Sequence, residues 1–287
     1  MRDEFGLDRW WRLILIWSIG AVTTWVIATL SLNRLPPAGS PHSPPKSAQE
    51  ALSNWDGKHY AAVAANGYQA KGDAARLVNF FPLYPALARA FGGSKHSLLA
   101  GILLSQLLVL CSIMLMSHLA HGKQRESLLV EPGLWLLVNP FGFYMFAAYA
   151  ESLFLFLTLV HVTAYSMRRA SASAFAGLLA GLTRPVAIIL PALVGVDAIQ
   201  RWKRGERTWK PFLVAATPLF GFLLFTLVYV GWIFGDAGAY WNIVATYWTQ
   251  TPVFPFTTFI ADLQSWLTTA ADGRIPPPDM ILRTFST

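Results

Sequence analysis

Charged residues and cysteines are both scarce in this chain. Asp, Glu, Lys and Arg make up 13% of the 287 residues, roughly half the share found in an ordinary soluble domain. The single cysteine, Cys111, excludes an internal disulfide, and with it the class of small secreted domains held together by disulfides. Hydrophobic residues account for 54% of the chain. This content excludes intrinsic disorder, because disordered chains are poor in such residues.

What the chain contains instead is a series of long apolar runs. Several approach the length of about 20 residues that crosses a bilayer as a helix. The 22 Lys and Arg exceed the 15 Asp and Glu, giving a net charge of +7. These basic residues stand in short clusters between apolar runs, as in membrane proteins oriented by positive charge, and they do not indicate a nucleic-acid partner. We therefore predict an all-α polytopic membrane protein with about seven membrane-crossing segments.

The first run, Trp10–Leu32, is predicted to be a retained helix with its amino terminus inside. It is longer than the ~7–15 apolar residues of a signal peptide, and no small-x-small cleavage site follows it. We expect residues 33–96 to form an outer loop. Within this loop, Ala48–Ala65 has the mixed composition of a helix lying on the membrane surface. Two prolines within Asn79–Phe91 predict a re-entrant or interfacial element there.

The other predicted spans alternate in direction through the membrane and are Ser97–Leu119, Leu128–Phe146, Ser152–Tyr165 and Pro211–Phe234. Ala172–Gln200 is interrupted by Thr183-Arg184-Pro185, and a basic cluster follows it. Because basic residues prefer the inner side, we predict two short segments that meet near Arg184 on the outer side. The transmembrane domain is then residues 1–234, and residues 235–287 form an outer-face tail.

Asp56 is the first candidate for chemistry. On a helix, Asp56, His59 and Tyr60 share one face. A carboxylate at an apolar boundary has a raised proton affinity and can act as a general base, although a helix cap or a solvated interfacial Asp would have the same sequence. Metal ligation by Asp56 and His59 would need a third ligand, which the spacing does not offer. The sequence therefore requires no cofactor and leaves a divalent metal undecided.

Two further charges are expected at the same membrane boundary. Glu151 opens a predicted span, where it would either serve a site or interact favourably with the helix dipole. Arg184 lies between two uncharged segments. It would either offer a planar set of donors to a phosphate group or extend to the lipid headgroups.

The aromatic sequence Phe80–Pro85 would either line a groove for a long acyl or prenyl chain or belong to an interfacial aromatic belt. Together with the outward-facing acids and the membrane-depth arginine, it suggests a site for a phosphorylated lipid whose head group reacts outside the membrane.

Five short motifs occur in one order along the chain. They are Trp55-Asp56-Gly57-x-His59-Tyr60, Asn66-Gly67-Tyr68, Phe80-Phe81-Pro82-Leu83-Tyr84-Pro85, Asn139-Pro140-Phe141 with Tyr149-Ala150-Glu151-Ser152-Leu153-Phe154, and a glycine-rich segment from Gly177 to Arg184-Pro185. Together these motifs resemble the PIG-V family of membrane mannosyltransferases, which belongs to the GT-C superfamily.

This resemblance implies a GT-C-like helical bundle that transfers a mannosyl or other hexosyl residue from a polyprenyl-phosphate donor. The acceptor would be a hydroxyl of a lipid or glycan, and the anomeric configuration would invert. The active site would face outward from a bacterial cell membrane, or into the lumen of the endoplasmic reticulum in a eukaryote. No nucleic acid is an expected partner.

The resemblance also implies roles for individual residues. Asp56 would be the general base, and Arg184 would stabilise the charge of the leaving lipid phosphate. The other residues expected to bind donor or acceptor are Lys58, His59, Tyr60, Arg76, Tyr84 and Glu151.

One departure from the family concerns length. PIG-V proteins carry further membrane helices, whereas the last clear span here ends near Phe234. The resemblance therefore implies a chain shortened at its carboxyl end, for which an inactive relative is an alternative. A lipid transporter or flippase is a second alternative, because broken helices with an intramembrane arginine also serve translocation.

Overall fold

The computed structural model describes residues 7–32, 45–121, 131–139, 141–248 and 264. All regular secondary structure within these ranges is helical, so the all-α prediction is confirmed. The chain divides into two compact units, Met1–Tyr240 and Trp241–Thr287. The candidate site lies entirely in the first unit.

Twelve α-helices are present in the described part of the chain. They are α1 (Leu7–Ser31), α2 (Ala48–Ala51), α3 (Asp56–Asn66), α4 (Leu83–His121), α5 (Pro132–Val138), α6 (Phe143–Phe146), α7 (Glu151–Ser166), α8 (Ala170–Gly181), α9 (Leu190–Lys203), α10 (Lys210–Leu223), α11 (Val230–Phe234) and α12 (Ala239–Trp248). Short 3₁₀ helices cover Gly72–Asn79 and Pro185–Ile189. A π-helical segment, Leu224–Tyr229, joins α10 to α11.

Four helical segments are long and apolar enough to cross a membrane: Trp10–Ser31, Leu83–Ala120, Pro185–Lys203 and Lys210–Phe234. Two shorter apolar helices, Glu151–Ser166 and Ala170–Gly181, accompany them. The protein is thus a helical membrane protein, as predicted from the apolar runs, with four candidate spanning segments among the described residues. The count of about seven segments stays a prediction.

α4 is not a straight rod but a helical hairpin. Gly93 has φ 61° and ψ −168°, a conformation that essentially only glycine adopts. The Tyr84 hydroxyl donates a hydrogen bond to the carbonyl of Gly101 at 2.8 Å, although 17 residues of straight helix would separate them by about 25 Å. The first arm of α4, residues 83–92, therefore folds back on the second arm. At about 15 Å it is too short to cross a bilayer, in keeping with the interfacial element expected over Asn79–Phe91.

The single surface helix expected over Ala48–Ala65 is instead two helices, α2 and α3. The Ser47 hydroxyl caps α2 by accepting a hydrogen bond from the Glu50 amide at 3.2 Å. The helix cannot continue through Trp55, because the φ of 53° at this residue is not helical. α3 then packs against the first arm of α4, where the Arg89 guanidinium donates to the carbonyl of Ala64 at 2.9 Å.

The prediction of one membrane-crossing helix over Leu128–Phe146 is also wrong for the residues that the structure describes. Two short helices, α5 and α6, occupy this part of the chain. They are separated at Asn139, whose side-chain oxygen accepts a hydrogen bond from the Phe141 amide at 2.8 Å. The Asn139-Pro140 sequence thus ends one helix rather than bending a longer one. Residues 128–130 and 140 lie outside the described residues.

α8 and α10 are parallel and packed closely along their length. Gly177 of α8 lies beside Thr217, and Gly181 lies beside Gly221, so the contacts advance in the same direction on both helices. A methyl group on Gly181 would lie 2.8 Å from the backbone nitrogen of Phe222. Gly177 and Gly181 therefore permit a close approach of the two helix backbones, as small residues four positions apart do in many membrane helices.

The break expected near Arg184 is present and determines which residues meet at each end of the bundle. α8 ends at Gly181, Arg184 is extended, and the 3₁₀ turn at Pro185 leads into α9. Because α7 and α8 are joined by a short turn, the start of α7 and the end of α8 lie together. Arg168 in that turn pairs with Glu206 after α9 at 3.1 Å, which marks the opposite end of the bundle.

Candidate functional site

The candidate site forms where the loop before α3 meets the segment before α7. The Tyr149 hydroxyl donates a hydrogen bond to the carbonyl of Asn54 at 2.5 Å. The amide of Ala148 donates to the carbonyl of Leu52 at 3.0 Å. These two bonds hold together chain segments that are far apart in sequence. They bring Asp56, the first residue of α3, close to Glu151, the first residue of α7.

The two acids line one open cleft of about 290 Å³. Its other walls are the aromatic side chains of Trp55, Tyr144 and Tyr149. Asp56 is exposed to the cleft, whereas Glu151 is half-buried. The cleft therefore combines an accessible carboxylate with aromatic rings and hydroxyls, groups that are suited to a polyhydroxylated ligand.

Arg184 forms an ion pair with Glu151 through Nη1 and Oε1. Both side chains are partly buried, with 31% and 24% of their surface exposed, respectively. The other carboxylate oxygen of Glu151, Oε2, is buried and makes no hydrogen bond to any described residue. A guanidinium has five N–H donors, so Arg184 retains donors beyond this pair.

The pKa of Asp56 is raised above its ordinary value because the surrounding protein removes part of the water around the exposed carboxylate, which disfavours its charged form, and the positive charge of Arg184 partly offsets this effect. The Asp56 side chain thus has a stronger affinity for a proton than a fully solvated aspartate. This property suits a group that accepts a proton from a substrate hydroxyl.

Tyr60 lies one turn after Asp56 on α3 and is buried beside the acid cluster. Its ring packs against Phe80 and Tyr84, with centroid distances of 5.1 and 5.2 Å. Burial raises its pKa, to which the charges of Glu151 and Asp56 add, while the Arg184 charge opposes the shift. Tyr60 therefore stays protonated, and its ring is part of the buried core.

The segment Phe80–Pro85 forms neither a groove nor a belt, and both expectations for it are wrong. Phe80, Phe81 and Tyr84 are 3%, 0% and 1% exposed, so their side chains are inside the protein. The Tyr84 hydroxyl is engaged with the carbonyl of Gly101 and with the Ser105 hydroxyl, which is 2.9 Å away. Tyr84 thus fastens the α4 hairpin and does not line the cleft.

Besides Tyr84, five predicted residues are not part of the lining of the acidic cleft: Lys58, His59, Tyr60, Arg76 and Arg184. His59 packs its ring on Phe80 at a centroid distance of 4.7 Å. Lys58 and Arg76 are exposed elsewhere on the outer loop. Their roles in binding donor or acceptor stay predictions.

A second, apolar cleft of about 310 Å³ shares Trp55 and Tyr149 with the acidic one. The carboxyl-terminal half of α1 provides one wall through Ile27 and Ala28, and Phe143 contributes another. The apolar space beside the acids is therefore built by α1, not by the aromatic motif. Trp55 and Tyr149 could be recognised as cleft residues because they belong to the sequence motifs around the two acids. Tyr144 belongs to no motif, so the sequence did not indicate its place in the cleft.

Among the described residues, no group of three or more His, Cys, Asp or Glu is placed to hold a metal ion. Comparisons with models of protein families, with curated proteins and with solved structures find no match for this chain.

Proposed function

We propose that this protein is an inverting membrane glycosyltransferase of the GT-C type. It would move a mannosyl or related hexosyl residue from a polyprenyl-phosphate donor to an acceptor hydroxyl. The observation that carries the proposal is a cleft lined by Asp56 and Glu151, with Arg184 paired to Glu151, that shares two aromatic walls with an apolar cleft. A lipid-linked sugar needs a polar cleft for the sugar and an apolar cleft for the lipid chain, side by side.

In the proposed reaction, Asp56 accepts the proton of the acceptor hydroxyl as its oxygen attacks the anomeric carbon of the sugar. The bond from that carbon to the phosphate oxygen breaks, and the lipid phosphate leaves with the electron pair. Attack from the face opposite the leaving group inverts the anomeric configuration. The raised proton affinity of Asp56 supports this role.

Arg184 would stabilise the lipid phosphate as its negative charge develops, through guanidinium donors that are already fixed in place. Its pair with Glu151 supports this role, because the carboxylate holds the guanidinium at the cleft. Glu151 lines the cleft beside Asp56, where its carboxylate would orient a sugar hydroxyl.

The first isoprene units of the donor would lie in the apolar cleft, between α1 and Phe143. Trp55 and Tyr149, which line both clefts, would then flank the junction of phosphate and sugar. We place this end of the bundle outside, because the basic cluster between Arg201 and Lys210 lies at the other end and favours the inner side.

The test is transfer of labelled mannose from polyprenyl-phosphate mannose by the purified, full-length protein in lipid vesicles. We expect Asp56→Asn to reduce the rate by a factor of about 10²–10⁴, the usual contribution of a general base. Asp73→Asn is the matched control, because Asp73 is an exposed aspartate of the outer loop that does not line the cleft. The wild-type rate should fall on acidification at a pH above the ordinary pKa of an aspartate, because the Asp56 pKa is raised.

Wild-type activity in Asp56→Asn would overturn the general-base role. A wild-type protein that binds the donor but transfers sugar to none of the lipid and glycan hydroxyls offered would overturn the enzymatic proposal. Movement of the donor lipid across the vesicle membrane, without transfer of the sugar, would favour a transporter instead.

A further inference from the structure

The end of the bundle opposite the acidic cleft carries a basic surface that the proposed reaction does not use. It is formed by the α7–α8 turn, the last turns of α9 and the loop before α10. Its cations are Arg168, Arg169, Arg201, Lys203, Arg204, Arg207 and Lys210, and its carboxylates are Asp197 and Glu206.

Both carboxylates of the basic surface already form ion pairs with arginines. Asp197 accepts a hydrogen bond from Arg201 Nε at 2.5 Å and lies 3.9 Å from Arg204. Glu206 accepts two hydrogen bonds from Arg168, at 3.1 and 3.4 Å. Lys203, Arg207 and Lys210 are exposed and form no ion pair with a described residue. The surface therefore retains a net positive charge that no acid in the described chain balances.

Aromatic side chains stand among these cations. Trp202 and Trp209 have ring centroids 5.1 Å apart, and Phe212 lies 5.7 Å from Trp209. The Arg207 guanidinium lies 5.2 Å above the Trp202 ring. Trp209 is 69% exposed. Tryptophan is enriched where a membrane protein meets the headgroup layer, because its ring is apolar and its N–H is polar.

The basic surface continues directly into an exposed apolar flank. Val196 and Ile199 of α9 and Leu213 of α10 are exposed large hydrophobic residues next to the cations. α9 and α10 both belong to segments long and apolar enough to cross the membrane. Cations and tryptophans thus lie together next to an apolar flank, as the headgroup and the acyl chains of a single lipid molecule lie next to each other.

We propose that the basic surface binds an acidic glycerophospholipid of the membrane leaflet on that side. Lys203, Arg207 and Lys210 would contact its phosphate and anionic headgroup, and its acyl chains would lie along α9 and α10. The apolar flank distinguishes this ligand from a nucleic acid, which has phosphates but no acyl chains. Clusters of basic residues next to membrane helices are a recognised feature of anionic-lipid binding.

The test measures lipid binding to the full-length protein by native mass spectrometry in a neutral detergent. Phosphatidylglycerol is compared with phosphatidylcholine of the same acyl chains, and glycerol phosphate serves as the probe without chains. We expect a preference for phosphatidylglycerol of roughly tenfold that weakens as salt is raised, because exposed charges are screened. Glycerol phosphate should bind far more weakly, because it lacks the acyl chains.

The critical variant is Lys203→Gln/Arg207→Gln/Lys210→Gln, which should lose the preference for phosphatidylglycerol. Its matched control is Lys46→Gln/Lys71→Gln/Lys95→Gln, which removes the same charge from exposed positions outside the basic surface and should keep it. Circular dichroism confirms that both variants fold.

Equal binding of the two lipids by the wild type would overturn the proposal. So would an equal loss in both triple variants, because the preference would then follow net charge and not the basic surface. Tight binding of glycerol phosphate would show a simple phosphate site and would also overturn it.

Discussion

Trp55, the residue before the candidate base, has a backbone conformation that L-amino acids rarely adopt, with φ 53° and ψ −119°. Positive φ costs a residue with a Cβ about 1–2 kcal/mol. Packing of the indole does little to offset this cost, because the side chain is 69% exposed. The conformation is instead held by its neighbours, where Tyr149 binds the carbonyl of Asn54. Strain of this kind is concentrated at functional sites, and here it turns an aromatic ring toward both clefts.

This strain predicts an unusual order of stability at position 55. We expect Trp55→Gly to be more stable than Trp55→Ala by about 1 kcal/mol, because only glycine relieves the strained φ. Thermal unfolding of the purified variants in detergent measures the difference. Ala61→Gly, within α3, is the control and should be destabilised by about 0.5–1 kcal/mol, the usual effect of glycine in a helix. Greater stability of Trp55→Ala than of Trp55→Gly would contradict the prediction.

The sequence indicated candidate residues but not the contacts between them. Asp56, Glu151 and Arg184 stood out because charge is rare in this chain, and the structure places them together. The direct pairing of Glu151 with Arg184 was not predictable, because it depends on how α7 packs against α8. Tyr84 was misplaced for a related reason. Buried and lipid-facing aromatic residues are both apolar in sequence, and only the reversal at Gly93 puts Tyr84 inside.

At the scale of elements, the reversal of α4 determines how α3 and the segment before α4 pack against the long helices. Gly101 lies beside the first arm, where a Cβ on it would be 3.6 Å from the Cβ of Ala88. In a straight helix these residues would be about 20 Å apart. The two prolines near the start of the first arm indicated that this arm does not span the membrane. Nothing in its sequence indicated that it would pack against the second arm.

A disulfide tests the α4 hairpin directly. We expect Ala88→Cys/Gly101→Cys, in a Cys111→Ser background, to cross-link on mild oxidation, because the Cβ separation matches that of natural disulfides. Ala88→Cys/Leu103→Cys is the control and should stay reduced, because Leu103 is 52% exposed on a different side of the helix. Loss of free thiols, measured on the intact protein by mass, reports the bond. Absence of a cross-link in a folded Ala88→Cys/Gly101→Cys protein would contradict the hairpin.

The contact between α8 and α10 predicts a second effect at this scale. A methyl group on Gly181 would meet the α10 backbone, which cannot move aside as a side chain can. We expect Gly181→Ala to lose about 1–3 kcal/mol of stability. Gly195→Ala makes the same change in α9, where nothing lies within 4 Å of the added methyl, and should be neutral or slightly stabilising. Unfolding in a denaturing detergent compares the two variants, and equal losses would contradict the close packing of α8 and α10.

At the scale of the whole molecule, charged residues, which are scarce in the sequence, lie at two opposite ends of the helical bundle. Asp56, Glu151 and Arg184 meet at one end, and the ion pair between Arg168 and Glu206 marks the other. The apolar runs predicted α1 and the candidate span Lys210–Phe234 well, because hydrophobic length is a local property. The segment after Arg184 was expected to be short, whereas Pro185–Lys203 is long and apolar enough to cross a membrane. The short helices α5 and α6 were not recognised, because an apolar run does not reveal whether its helix is interrupted at Asn139.

Cysteine labelling tests whether the two ends lie on opposite sides of the membrane. In a Cys111→Ser background, we expect Lys71→Cys to react with a membrane-impermeant maleimide on intact cells. Glu206→Cys should react only after the cells are made permeable. The two positions are exposed and lie in the outer loop and in the basic surface, respectively. Removing Glu206 breaks an exposed ion pair, which costs at most about 1 kcal/mol, so the fold should survive.

The three outcomes of this labelling have different physical meanings. Reaction of both cysteines from outside would contradict the crossing of the membrane between Arg184 and Glu206, and with it the two short segments that meet at Arg184. Reaction of position 206 alone would preserve the crossing but reverse the molecule, and the candidate base would then face the cytoplasm. Reaction of position 71 alone would place Asp56 outside, where a lipid-linked sugar donor and an extracellular acceptor can meet, and would leave the basic surface facing the inner leaflet.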